Sequence, residues 1–455
     1  MSMRKRANEK QPDLWIPTSE LAKSPGHPFY VRLNKILSES KFDRFVEERC
    51  ARFYVEGKGR PSIPPGTYMR MLLVGFFEGL DSERGIAWRC ADSMSLRTFL
   101  GYDLSESTPD HSSLSRIRQR LDVEVHQEVF TFVLKVLAEK GLLRGRTIGI
   151  DATTLEANAA MRSIVRQDDG TSYADFLASL AKQSGIETPT RSDLARIDKT
   201  RPKKGSNDDW KNPHDPDAKI TKMKDGRTHL AHKAEHAVDL DSGAVMAVTV
   251  QDATLGDCTT MRETMGATAK NVVVVNSDPL CANEIDPRAL TEWVADKGYH
   301  SNATMQMVTE LNLRSYVSEP ERGERRWNGQ LDVRDSTYAN RRRLKSKRGR
   351  ALMRRRGELI ERSFAHCLET GAMRRVHLRG RMNILKRYLV HVAAFNLSLV
   401  MRTLFGVGTP RGLQGRLAAL IAHFKSILAL VLAPIGSLAI RLRRTCAHHP
   451  LTQAA

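Results

Sequence analysis

The chain is poor in the residues that mark metal-thiolate and redox chemistry. Six cysteines (Cys50, Cys90, Cys258, Cys281, Cys367 and Cys446) are scattered over 455 residues. No two stand at CxxC spacing, and no framework of spacings marks a disulfide scaffold, so buried thiols in a reducing compartment are expected. HExxH and the Walker-type phosphate loop are both missing, which leaves zinc-peptidase and ATP-driven chemistry without support. Long apolar runs are missing too. Leu417 to Ile440 is interrupted by His423, Lys425 and Pro434. Its uncharged part, Ile427 to Ile440, is shorter than the ~20 residues a spanning helix needs. Met1 to Trp15 is basic and polar, without the apolar centre of a secretory signal. A cytoplasmic, nucleoid-associated protein with no membrane partner is expected.

Acidic residues run out toward the end of the chain. Residues 1–300 hold 43 Lys or Arg against 43 Asp or Glu, residues 301–455 hold 29 against 9, and none follows Glu369. The whole net charge of +20 therefore lies in the last third. Such a field attracts a polyanion, and release of condensed counterions drives the binding. The densest stretch, Arg341 to Arg356, has ten basic residues in sixteen. From it Arg341, Arg342, Arg343, Lys345, Lys347, Arg348, Arg354, Arg355 and Arg356 are expected to meet DNA phosphates. Arg362 and Lys386 are expected to join them. Trp327 and Tyr338 border the run and could stack on unpaired bases or simply pack.

At 41% hydrophobic the chain can bury a sizeable core, and its length calls for more than one unit. Residues 1–27 read as a flexible arm, and residues 28–145 as an all-helical region for DNA binding or oligomerisation. Within that region Ser107-Thr108-Pro109-Asp110 signals a helix start. Leu114, Ile117 and Leu121 then face inward, which leaves Ser112, Ser115, Arg116 and Arg120 on the outer face, as in a DNA-reading helix. An ordinary surface helix would look the same. Residues 146–400 change to short apolar strands, with a polar insertion at about 157–225. Thr147 to Thr154, His229 to Leu240 and Val245 to Gln251 read as an antiparallel meander, turned at Asp241-Ser242-Gly243. A helix from about Cys258 to Thr268, a strand ending at Ala295, a helix from Asn302 and a strand at Arg314 to Val317 follow. This order is that of an α+β, ribonuclease-H-like mixed sheet flanked by helices. Residues 401–455 read as a basic, apolar helical tail.

Three carboxylates stand out in this frame. Asp151 lies in Gly149-Ile150-Asp151-Ala152-Thr153, Asp296 closes Trp293-Val294-Ala295, and Glu361 follows the basic run. They are 145 and 65 residues apart, so only the fold could unite them. Hard ions such as Mg²⁺ or Mn²⁺ prefer carboxylate oxygens, and two such ions can serve both ends of an in-line phosphoryl displacement. Strand ends hold carboxylates rigidly, and the small residues Gly149, Ala152, Ala295 and Gly298 are expected to leave room for a DNA backbone. Each acid also has a plainer reading: an aspartate after a strand often caps a turn, and Glu358 could replace Glu361.

The segments around Asp151, Asp296 and Glu361, with Lys224-Asp225-Gly226-Arg227-Thr228-His229-Leu230, resemble the DDE transposases of bacterial insertion sequences over roughly residues 28–400. The resemblance implies that Asp151, Asp296 and Glu361 form the metal-binding catalytic triad. It also implies double-stranded DNA as the partner, at element ends and target, and a homo-oligomer. The tyrosine, arginine and lysine that many relatives carry around the glutamate are displaced here. Gly357 stands four before Glu361 and Leu368 seven after; Arg356, Arg362, Lys386 and Arg387 are the candidate substitutes. An endonuclease on the same fold, or a non-catalytic DNA-binding protein left from a transposase, are the alternatives.

Overall fold

The computed structural model describes residue 17 and residues 24–55, 62–200, 206–223 and 226–413. Most of the expected arm, Lys224 and Asp225, the tail beyond residue 413 with its apolar segment, and Cys446 lie outside the described residues.

The N-terminal region is helical: α1 (Pro28–Glu39), α2 (Phe42–Cys50), α3 (Pro65–Glu78), α4 (Glu83–Asp92), α5 (Met94–Leu100), α6 (His111–Arg120) and α7 (Val123–Glu139). Side-chain caps set several of the starts. Ser82, Ser93, Asp110 and Asp122 each accept a first-turn backbone N–H, satisfying donors the helix itself leaves unpaired. Helix α3 is buried all round from Gly66 to Phe77, as expected for a helix at the centre of a bundle.

The sheet begins with β1 (Thr147–Glu156). The polar insertion carries β2 (Val165–Arg166), α8 (Tyr173–Gln183), α9 (Arg191–Thr200), β3 (Trp210–Lys211) and β4 (Lys219–Lys222). It has a small core of its own around Ile164, Trp210 and Ile220. Then come β5 (Thr228–Asp239), β6 (Val245–Asp252), α10 (Asp257–Asn276), β7 (Glu292–Ala295), α11 (Asn302–Glu310) and β8 (Arg314–Val317), followed by α12 (Leu331–Lys345), α13 (Lys347–Ala365) and α14 (Arg381–Phe405). Strand β5 pairs antiparallel with β1 on one side and with β6 and β4 on the other; β7 and β8 extend the sheet in parallel beyond β1. The meander and the parallel additions match the ribonuclease-H-like order read from the sequence. The helix expected to end near Thr268 continues to Asn276, because Asn271, Val272 and Val275 are buried against the protein. That packing overrides the weak helix propensity of a valine run.

Helix α14 is mainly apolar from Tyr388 to Met401, and most of its residues are buried. It packs between α7 and α3 on one side and β6 on the other. One continuous hydrophobic cluster therefore runs from Phe29 through the sheet to Met401. Arg387, buried in this layer, donates to the carbonyls of Leu72, midway along α3, and Leu80, just beyond its end.

The outer strands of the sheet are closed by asparagines from the helices. Asn396 of α14 accepts from Val245 N–H (2.9 Å) and donates to Val245 C=O (2.8 Å) at the start of β6. Asn340 of α12 does the same for Val317 of β8, at 2.9 and 2.7 Å. Each amide supplies the pair of hydrogen bonds a further strand would have made, and so blunts an edge. Asn396→Ala and Asn340→Ala each strand two buried backbone groups, and each is expected to lose about 2 to 4 kcal/mol in urea unfolding.

Candidate active site

Parallel pairing places the first two carboxylates. Gly149 of β1 is in register with Val294 of β7, so Asp151 and Asp296, each two residues further on, come side by side. Asp296 stands just past the end of β7, while Asp151, against the expectation of a strand end, lies inside β1, which stays paired with β5 as far as Glu156. Asp296 caps the short turn Lys297–Tyr299, its Oδ1 accepting Gly298 N–H at 2.9 Å. The third carboxylate arrives on α13, which lies directly on the sheet. A Cβ added to Gly149 would sit 2.7 Å from Leu240 Cδ2, 3.1 Å from Ile360 Cδ1 and 3.2 Å from Arg356 Cγ. The sequence reading of this glycine is corrected: its missing side chain admits α13, not DNA. Gly298 is corrected likewise, since a Cβ there would meet Asp257 Oδ2 at 2.3 Å.

Asp151, Asp296 and Glu361 line one open cleft of about 570 Å³, together with Asp257, His229, Phe364 and Arg374. Glu358 is not among the lining residues and pairs with Arg362 on the exposed side of α13 (2.6 Å). Of the two glutamates the sequence left open, Glu361 is the one in the cleft.

Burial pushes the Asp296 carboxyl above the ordinary aspartate range, and the neighbouring Asp151 and Asp257 push it further; Arg356 and the Gly298 N–H pull the other way. Arg356, itself buried, donates from Nη2 to Asp151 Oδ2 at 2.6 Å. Asp257 is held from behind by the buried ammonium of Lys233 at 2.6 Å. Carboxylates that repel one another in a shared cleft suit a hard divalent cation, and all the acids here are oxygen donors. With the side chains as they stand, no three Asp, Glu, His or Cys residues among those described close on a common point. The positive charge next to Asp151 is the Arg356 guanidinium.

The basic run is divided by its partners. Arg341 pairs with Glu319, Arg348 with Glu292, and Arg355 with Asp241. Arg343 donates to Ser315 O and Oγ (both 2.9 Å). Arg342, Lys345, Lys347 and Arg354 are all exposed, with no ion pair among the described residues. Lys386 donates to the carbonyls of Arg118 (3.1 Å) and Leu121 (2.7 Å), closing the end of α6. On α6, Arg116 is exposed, Ser112 bonds back to Asp110, Ser115 accepts from Arg118, and the Arg120 guanidinium lies over Tyr54. Trp327 lies under the Arg325 guanidinium, 4.1 Å from it, and beside Tyr338. Of the four candidate substitutes for the displaced arginine and lysine, Arg356 alone bonds to one of the three carboxylates.

Two cleft residues escape a reading of the sequence as site candidates. Asp257 opens a helix just after Gly256, a position that looks like a routine first-turn acid. Arg374 looks like one more member of the basic tract. It reaches the cleft because β1 is extended by the segment around it: Glu156 N–H donates to Arg374 O and Val376 N–H donates to Glu156 O.

Residues 18–120 match the family described as Transposase domain (DUF772), and residues 197–397 match the Transposase DDE domain. No curated protein and no solved structure matches the chain significantly.

A raised folded-state carboxyl stabilises the fold while protonated, below about pH 4, and this is lost as pH rises through its folded value. Asp296→Asn is therefore expected to raise the melting temperature of the metal-free protein at pH 7. Repeating the melts at falling pH should shrink the gain until it vanishes near pH 4.

Proposed function

Because the chain belongs to the DDE-type transposases of insertion sequences, enzymes that cleave DNA and transfer its strands, we infer that Asp151, Asp296 and Glu361 hold the divalent ions this chemistry uses. Mg²⁺ or Mn²⁺, two ions in all, would neutralise charge on the attacking and leaving oxygens of an in-line displacement. The observation that carries this reading is the meeting of the three acids in one cleft from opposite parts of the chain.

The chain's own residues do the positioning. Asp151 is fixed within β1 and Asp296 at the end of β7, so little reorganisation is left for the reaction itself. Arg374 on the rim and Arg356 within supply positive charge beside a bound phosphodiester. Arg342, Lys345, Lys347 and Arg354 hold the DNA backbone without reading sequence. Arg116 is the residue of α6 best placed to approach a groove. Water opens a phosphodiester at the element's end and leaves a 3′-hydroxyl. That hydroxyl then attacks a target phosphodiester, forming one P–O bond as another breaks. Two ends must be held together, so the enzyme works as a homo-oligomer on the nucleoid.

Asp151→Asn, Asp296→Asn and Glu361→Gln should each reduce cleavage of an end-containing duplex at least a thousand-fold, while gel-shift binding persists. Glu358→Gln should cleave like the parent. Full activity in any of the first three removes that residue from the assignment. DNA affinity should fall steeply with salt. Neutralising Arg342, Lys345 and Lys347 together should flatten the slope of log K against log salt, by roughly 0.9 for each phosphate these side chains neutralise in the parent. An unchanged slope would mean these side chains do not meet DNA.

A further inference from the structure

We propose that two adjacent residues of β5, Glu235 and His236, are positioning residues for the reaction: from opposite faces of one strand they hold the Asp296 turn and the Glu361 helix in register with Asp151. The inference rests on the carboxylate assignment above and adds to it.

Strand β5 runs beside β1, with His236 opposite Asp151 and Glu235 opposite Ala152. Side chains of neighbouring strand residues point to opposite faces, so this one step of β5 reaches both layers that carry the other two acids. On the first face Glu235 is fully buried. Its carboxylate accepts from Thr260 Oγ1 (2.9 Å) and Thr264 Oγ1 of α10, and from Tyr299 OH at 2.7 Å. Tyr299 closes the turn that Asp296 opens, and its own N–H returns to Asp296 O. The phenol therefore ties the Asp296 turn to the strand beside Asp151.

On the second face His236 is also fully buried, stacked on Phe364 with ring centroids 4.3 Å apart. Its Nδ1 is 2.9 Å from Ser363 Oγ and its Nε2 is 2.9 Å from Tyr388 OH. Ser363 gives its single hydroxyl hydrogen to Ile360 O at 2.8 Å. Nδ1 therefore carries the imidazole hydrogen and donates to Ser363, while Nε2 accepts from Tyr388. Burial holds the ring neutral, as this pattern requires. Ser363 lies two residues beyond Glu361, so the imidazole fixes the rotation and height of α13 where it delivers its acid.

Apolar side chains would fill these two positions without the desolvation that a buried carboxylate and imidazole incur. Ala234, Ala237 and Val238 alongside are apolar. What the polar pair adds is direction. Hydrogen bonds fix angle as well as distance, and outer partners of metal-binding groups commonly change metal affinity 10- to 100-fold.

The test removes one hydroxyl from each face of the full chain, by Tyr299→Phe and by Ser363→Ala. Mn²⁺ binding is read from the electron paramagnetic resonance signal of the free ion, with melting temperature and end-duplex binding measured alongside. Each variant is expected to bind Mn²⁺ about ten-fold more weakly than the parent, with duplex binding unchanged. Parental Mn²⁺ affinity in both, even with a lowered melting temperature, would reduce the two hydrogen bonds to packing and overturn the proposal. Weakening in one alone would overturn it for the other face. Asp296→Asn is the control. If it binds Mn²⁺ like the parent, the carboxylate assignment itself fails and the tethers fall with it. If it does not, a negative result in the tether variants counts against the tethers alone.

Discussion

The close approach of α13 to the sheet is the constraint on which the site depends. Leu240, Ile360 and Arg356 already occupy the space a side chain at Gly149 would need. A methyl group there would lift the helix, and with it both Glu361 and the guanidinium on Asp151. Parallel pairing of β1 with β7 brings Asp151, inside one strand, beside Asp296, just past the end of the other. The glutamate has no covalent or ladder connection to them. Its place comes from the packing of α13 against Gly149, together with the hydrogen bond between His236 and Ser363.

A second theme is how much of the positive charge is spent internally. The excess of +20 suggested a broad phosphate-binding face. In the fold, Arg343, Arg348 and Arg356 serve as struts between helices and strands, and Arg341 holds Glu319 just after β8. Arginine suits that work because its planar fork makes several directed bonds from one side chain. Lysine at 345 and 347, and arginine at 342 and 354, keep their charge toward solvent. The helical repeat sorts the run: residues three and four apart share a face, so a dense basic stretch cannot present every charge outward.

Much of this is readable in the amino acids. The three-strand meander, the strand before Asp296 and the inward stripe of α6 all follow from period and turn residues. What is not readable depends on contacts far apart in sequence. The valines near the end of α10 look unlike helix until their burial is known. Asp257 is an unremarkable first-turn acid until Lys233 and the Asp296 turn are seen beside it. Gly149 and Gly298 matter for being small, but what fills the space they leave is protein. Glu235 and His236 sit in a run of alternating small and polar residues whose partners come from three separate helices and a turn.

Helix α14 has one more implication. It is wedged between α3 and α7 on one side and β6 on the other, and Lys386 near its start closes the end of α6. The helical region and the sheet that carries the cleft share one continuous hydrophobic cluster. Modular exchange, in which a foreign helical unit is grafted upstream of the sheet, would strip this helix of the cover that α3 and α7 provide. Changes that leave this shared core alone are confined to the outer skin of the helices, residue by residue.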